Sequence, residues 1–97
     1  MNIRMNTRGA QECESIAQLA TDKSKRQLGR LGIDGVEFLL EVTDKYQVLS
    51  ATIVLPNVGK IHASSSGENA YQLIDPVIAK LRKQAVRHKR DAGKESN

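Results

Sequence analysis

Residues 59–90 read GKIHASSSGENAYQLIDPVIAKLRKQAVRHKR, and a change of hydrophobic period inside this stretch decides the architecture. Ile61 and Ala63 alternate with Lys60, His62 and Ser64, the two-residue repeat of a short strand with one buried side. The segment SSSG that follows reads as a loop. Asn69, with Gln72 three positions later, is a capping-box pattern. Beyond it Ala70, Tyr71, Ile74, Val77, Ile78, Leu81 and Ala85 recur at helical spacing. Pro76 is the discordant residue, because it removes a helical hydrogen bond and crowds the carbonyl of Gln72. A helix beginning at Asp75, with Pro76 as its first residue, is the competing reading. The apolar stripe runs unbroken across Pro76, which favours the earlier start with a kink between Gln72 and Pro76.

Working back from this stretch, PNVG at 56–59 is a turn whose Pro56, Asn57 and Gly59 suit the required dihedrals. Before it, YQVLSATIVL points Leu49, Ala51, Ile53 and Leu55 to one side. Asp44 and Lys45 make a turn from VEFLLEVT, where Val36, Phe38, Leu40 and Val42 share a face. At the start of the chain Met1, Ile3 and Met5 alternate with Asn2, Arg4 and Asn6, a further strand. From about Gln11 the period becomes helical, with Cys13, Ile16, Ala17, Ala20, Ser24, Leu28 and Leu31 on one stripe and Gly29 and Gly32 as stop signals. The predicted fold is α+β, in the order β-α-β-β-β-α, a four-stranded sheet with two helices packed on one face.

The 97 residues suit one domain with a modest core. No run of residues is apolar enough to span a bilayer, and the beginning MNIRMNTRGA lacks the apolar core of a secretory signal. A lone Cys13 offers no intramolecular disulfide and suits a reducing cytoplasm. The net charge is +4, yet seven cations stand against one acid between Lys80 and Lys94, so the rest of the chain is slightly acidic. Such concentration on one element is the footprint of a polyanion-binding surface. At about 100° per residue, Lys80, Lys83, Arg87, Arg90 and Lys94 line the side of the helix opposite its apolar stripe, with Arg82 and Lys89 at the core edge. The first helix adds Lys23, Arg26 and Arg30. If both helices cover one sheet face, the two lines border a groove suited to the phosphates of folded RNA. Only three aromatics are present, too few for a surface that stacks unpaired bases.

His62, Ser64 and Asp75 are the only set that suggests nucleophilic catalysis, and no nucleophile elbow holds them together. An enzyme is not expected. There is no CxxC, no paired histidine spacing and no acidic loop, so no metal, cofactor or small-molecule substrate is expected either. His88 reads as a histidine packed at the edge of its helix. Glu37 and Glu41 share a sheet face with Arg4 and read as surface pairs.

Ile61, His62, Ala63, Ser64, Gly67, Asn69, Tyr71, Ile74, Asp75, Lys80, Leu81, Lys83, Gln84, Arg87, His88 and Lys89 fill a long ordered pattern. In it, a strand ending I-H-A-S leads through a glycine turn and a cap to a tyrosine, I-D and a basic helix. This pattern closely resembles the ribosome hibernation promoting factor family, also called sigma-54 modulation or ribosome-associated inhibitor proteins. Lys23 and Arg26 match the family's K-x-x-K on the first helix. The resemblance implies a cytoplasmic protein that binds the decoding region of the small ribosomal subunit and silences translation in stationary phase or stress. In some members it also favours ribosome pairing, which would bring in a second ribosome-dimerising factor. It implies Lys23, Arg26, Lys80, Lys83, Arg87 and Lys89 as RNA-contacting residues, and helical geometry adds Arg30, Arg82 and Arg90. It also implies the short form, with residues 1–92 as one ribosome-binding domain; the residues GKESN at 93–97 read by composition as a disordered tail. Ser24 and Gln27 stand where the family usually has apolar residues. Two other readings stay open: a regulatory protein-binding module using Glu37, Leu39, Glu41, Thr52 and Val54, and a general binder of structured RNA.

Overall fold

Alternating strands and two amphipathic helices assemble as the periodicity predicts. The computed structural model describes residues 1–9 and 14–88, and the helical backbone of 89–95. The elements are β1 (Asn2–Arg8), α1 (Glu14–Leu28) closed by a 3-10 turn at Gly29–Leu31, β2 (Gly35–Val42), β3 (Gln47–Leu55), β4 (Gly59–Gly67) and α2 (Tyr71–Glu95). The sheet order is β1-β2-β3-β4. β1 and β2 are parallel and joined through α1, while the two hairpins are antiparallel. Expected Cys13 lies outside the described residues, as does the start of the first helix before Glu14.

Each strand sends alternate residues inward. Val36, Phe38 and Leu40 of β2, Leu49, Ala51, Ile53 and Leu55 of β3, and Ile61 and Ala63 of β4 are buried against Ile16, Ala20 and Leu28 of α1 and Leu73, Ile74, Val77, Ile78, Leu81 and Ala85 of α2. At roughly 1.5–3 kcal/mol for each large apolar side chain removed from water, this layer is the main driving force of folding. β1 contributes only half-buried Ile3 and Met5, because it is the edge strand beyond which the helix layer ends. Ser24 is fully buried on the α1 stripe with no partner for its hydroxyl.

Glycine is required where α1 and β1 end. Gly32 closes the 3-10 turn at φ 74°, its N–H donating to the carbonyl of Gly29. Gly9 adopts φ 83°, and a Cβ there would stand 2.2 Å from the carbonyl oxygen of Val42. Both are positions that a side chain would strain. The second hairpin turn uses Asn57 at φ 66° and Gly59 at φ 110°.

Three details differ from the sequence reading. SSSG is strand, not loop: β4 runs to Gly67, because the nine residues of β3 offer a full ladder of partners, down to Gln47 opposite Gly67. A supplied ladder outweighs the weak strand preference of serine. The stripe of α2 is rotated: Tyr71 is 44% exposed, while Leu73 is buried beside Gly67. The helix thus leans toward β4, where the missing side chain of Gly67 makes room. Arg4 stands directly opposite Glu37 in register, yet the two form no ion pair.

The earlier of the two proposed starts of α2 is the one adopted. Asn69 Oδ1 accepts the N–H of Tyr71 at 2.9 Å, and Pro76 lies inside the helix. α2 continues to Glu95, into the stretch expected as a tail at 93–97, whose last two residues lie outside the described ones.

Candidate nucleic-acid interface

Both helices lie on the same side of the sheet and touch one another. The chain topology makes them run the same way, since each returns along a strand of the same direction. Across the seam between them, Lys23 Nζ donates to both carboxylate oxygens of Asp75, each at 2.6 Å. This contact orients α2. The flank carrying Asp75 faces α1, and Arg82, seven residues later, falls on that same flank at about 100° per residue. Arg26, one turn beyond Lys23, and Arg30, in the 3-10 turn, are exposed.

The opposite flank of α2 overlooks the edge strand β4. Lys80 Nζ donates to the carbonyl oxygen of Ser64 at 2.7 Å, and Gln84 Nε2 donates to that of His62 at 3.3 Å. Two outward carbonyls of the edge strand are thereby occupied, which blunts an edge that could otherwise pair with another chain. Lys80 therefore belongs to the β4 flank of the helix and not to its outer ridge. Lys83 sits on the ridge, and Arg87 lies between ridge and β4 flank. Arg82, Lys83 and Arg87 are all exposed. Nothing beyond the helical backbone is described at Lys89 and Arg90.

The predicted cations thus fall into two kinds. Lys23 and Lys80 have hydrogen-bond partners inside the protein, and Arg26, Arg30, Arg82, Lys83 and Arg87 are exposed with no ion-pair partner among the described residues. Neither tether is legible in the sequence. The Lys23–Asp75 pair spans 52 positions in sequence, so no local spacing announces it.

The residues considered for catalysis are not brought together. His62 Nδ1 pairs with Thr52 Oγ1 at 3.0 Å on the uncovered sheet face. Asp75 is engaged with Lys23 on the helix layer, and Ser64 lends its backbone to Lys80. Among the described residues no group of three His, Cys, Asp or Glu stands close enough to hold a metal ion. No helix of the described residues is long and apolar enough to cross a membrane.

Comparison with known proteins gives one consistent result. Residues 3–92 match the family described as sigma 54 modulation protein / S30EA ribosomal protein. A ribosome hibernation promoting factor of Salmonella typhimurium is 31% identical over 90 residues, covering 92% of this chain and 94% of the relative. One from Klebsiella oxytoca is 39% identical over 57 residues, 59% of each chain. Among solved structures, a ribosomal subunit interface protein from Coxiella burnetii has a TM-score of 0.82 at 23% identity, covering 92% of this chain and 98% of that one. The N-terminal domain of Thermus thermophilus Protein Y has a TM-score of 0.79 at 20% identity, covering 91% and 99%. At these identities the two structures establish the fold, the same four-stranded mixed sheet with two helices.

Proposed function

The chain belongs to the sigma 54 modulation protein / S30EA ribosomal protein family, and from that premise we propose that it is a ribosome-associated hibernation factor. It binds the small ribosomal subunit through its helix layer and holds translation silent in stationary phase or stress. The decoding region is its site, so that it occupies the path of messenger and transfer RNA. The named relatives are hibernation factors, and ribosome association is the property most directly suggested by them. The protein acts in the cytoplasm, where ribosomes are, without a catalytic step.

The observation that carries this reading is the shared side of the two helices. Exposed Arg26 of the first, Arg30 in the 3-10 turn that closes it, and Arg82, Lys83 and Arg87 of the second lie on one layer. Rigid elements hold these charges at fixed separations, which suits the spaced phosphates of a folded RNA. Contacts of this kind supply affinity and salt dependence with little base readout.

Co-sedimentation with purified small subunits over a range of salt tests the reading. With about five phosphate contacts, the logarithm of the binding constant falls against that of salt with a slope of roughly −4. Absence from the subunit fraction at low salt, or binding indifferent to salt, overturns it. Pull-down from nuclease-treated lysate tests the competing protein-module reading, because an RNA-dependent partner disappears from that sample.

A further inference from the structure

We propose that Asp75 is a positioning residue of the RNA-binding layer, clamping the Lys23 ammonium across the seam between α1 and α2. This deepens the ribosome-binding reading and rests on it.

The problem Asp75 poses is its charge. A carboxylate on the cation-bearing layer repels the phosphates that Arg26, Arg82 and Lys83 attract, and by charge alone binding improves without it. Asp75 is also no part of the core, its side chain being 68% exposed. Its contacts supply a reason for its presence. Both oxygens hold one ammonium at 2.6 Å, and that ammonium comes from the other helix. No other ion pair among the described residues joins the two basic elements.

The clamp acts at a useful place. Ala20 and Ser24 of α1 and Ile74 and Ile78 of α2 fill the layer below it, small residues on one side and branched ones on the other. Above that layer this is the ion pair that ties the seam among the described residues. Lys23 is half-covered, at 28% side-chain exposure, with its long stem lying along the surface and its head fixed. Arg26 follows one turn along α1, and Arg82 two turns along α2. A tie at this point of the seam therefore sets the offset between the two lines of cations. An exposed ion pair is worth little for folding. Its effect is also read in binding, because the lost order is felt at the phosphate contacts along the seam.

The test uses Lys23→Met, Asp75→Asn and the double variant. In the free protein, thermal unfolding gives the coupling of the pair without any RNA. The two substitutions are expected to be non-additive by roughly two- to five-fold in the unfolding equilibrium; strict additivity overturns the clamp whether or not ribosomes are bound. With small subunits, Asp75→Asn is expected to weaken binding by roughly two- to five-fold although it makes the protein more positive. In the Lys23→Met background the same change is expected to leave binding equal or tighter. Tighter or unchanged binding of the single Asp75→Asn variant overturns the positioning role, because a bare electrostatic effect has that sign. Should the unsubstituted protein fail to bind small subunits, the ribosome reading falls, and Asp75's role in it falls too. The unfolding cycle still judges the ion pair itself.

Discussion

The two faces of this sheet are made from the same strands, yet they differ in what they expose. The inner face sends Val36, Phe38, Leu49, Ile53 and Ile61 into a sealed core and carries the helix layer. That layer presents Arg26, Arg30, Arg82, Lys83 and Arg87 outward. The outer face is open, and its residues alternate in sign and size: Arg4 beside Glu37, then Thr52 bonded to His62, with Lys60 next to exposed Val54. A depression of about 530 Å³ at one end, lined by Arg4, Asp34, Gly35, Glu37 and Lys60 among others, has the same mixed charge. A sheet with one face covered must alternate apolar and polar along each strand. Where cations of one sign then gather is not dictated by folding. Their concentration on the helix layer is the feature that a polyanionic partner explains.

Substitutions matched across the two faces can break or sharpen this contrast. The largest expected effect is on folding. Phe38→Ala empties the centre of the covered face and costs about 3–5 kcal/mol, whereas Val54→Ala, at a residue 59% exposed on the other face, stays within about 0.5 kcal/mol. Denaturant titration of both checks the pair, and equal losses would mean that the sheet is covered on both sides. Next comes binding. Lys83→Glu with Arg87→Glu is expected to reduce small-subunit affinity on the order of 100-fold at 0.1 M salt. Arg4→Glu with Lys60→Glu makes the same charge change on the open face and is expected to cost less than about threefold. Circular dichroism should find both variants folded, since all four side chains are exposed.

The smallest effect has the opposite sign. Ser24→Ala removes the hydroxyl that is buried without a partner between the helix and the sheet. The gain is about 1 kcal/mol, visible as a melting temperature higher by about 4–8 °C. A drop in stability would mean that the hydroxyl is satisfied after all.

Much of this architecture was legible in the chain because period and punctuation agree. Strict alternation in VEFLLEVT and YQVLSATIVL, the Asp44-Lys45 and PNVG turns, and the cap at Asn69 each state the same topology as the stripes of the two helices. The misreadings have physical causes. Three serines and a glycine look like a loop until the partner strand is known to extend past them. Tyr71 fits the helical stripe by spacing, yet Leu73 takes the buried place because Gly67 leaves room for it. At the interface, the family pattern and helical geometry named the cations, but neither could separate exposed Lys83 from Lys80, which is tied to the β4 edge. That separation depends on where a helix lies across a sheet, and the tie from Lys23 to Asp75 joins residues far apart in sequence. By residue type Asp75 groups with His62 and Ser64 as a candidate for catalysis. Its partner is instead a lysine on the neighbouring helix.

The central claim is that the helix layer, and not the open face, meets the ribosome. Amine-reactive labelling with mass spectrometry, on the free protein and on its complex with small subunits, measures this at single residues. Lys83 on the helix ridge is expected to lose reactivity in the complex while Lys60 on the open face keeps it. Protection of Lys60 with Lys83 unchanged would contradict it.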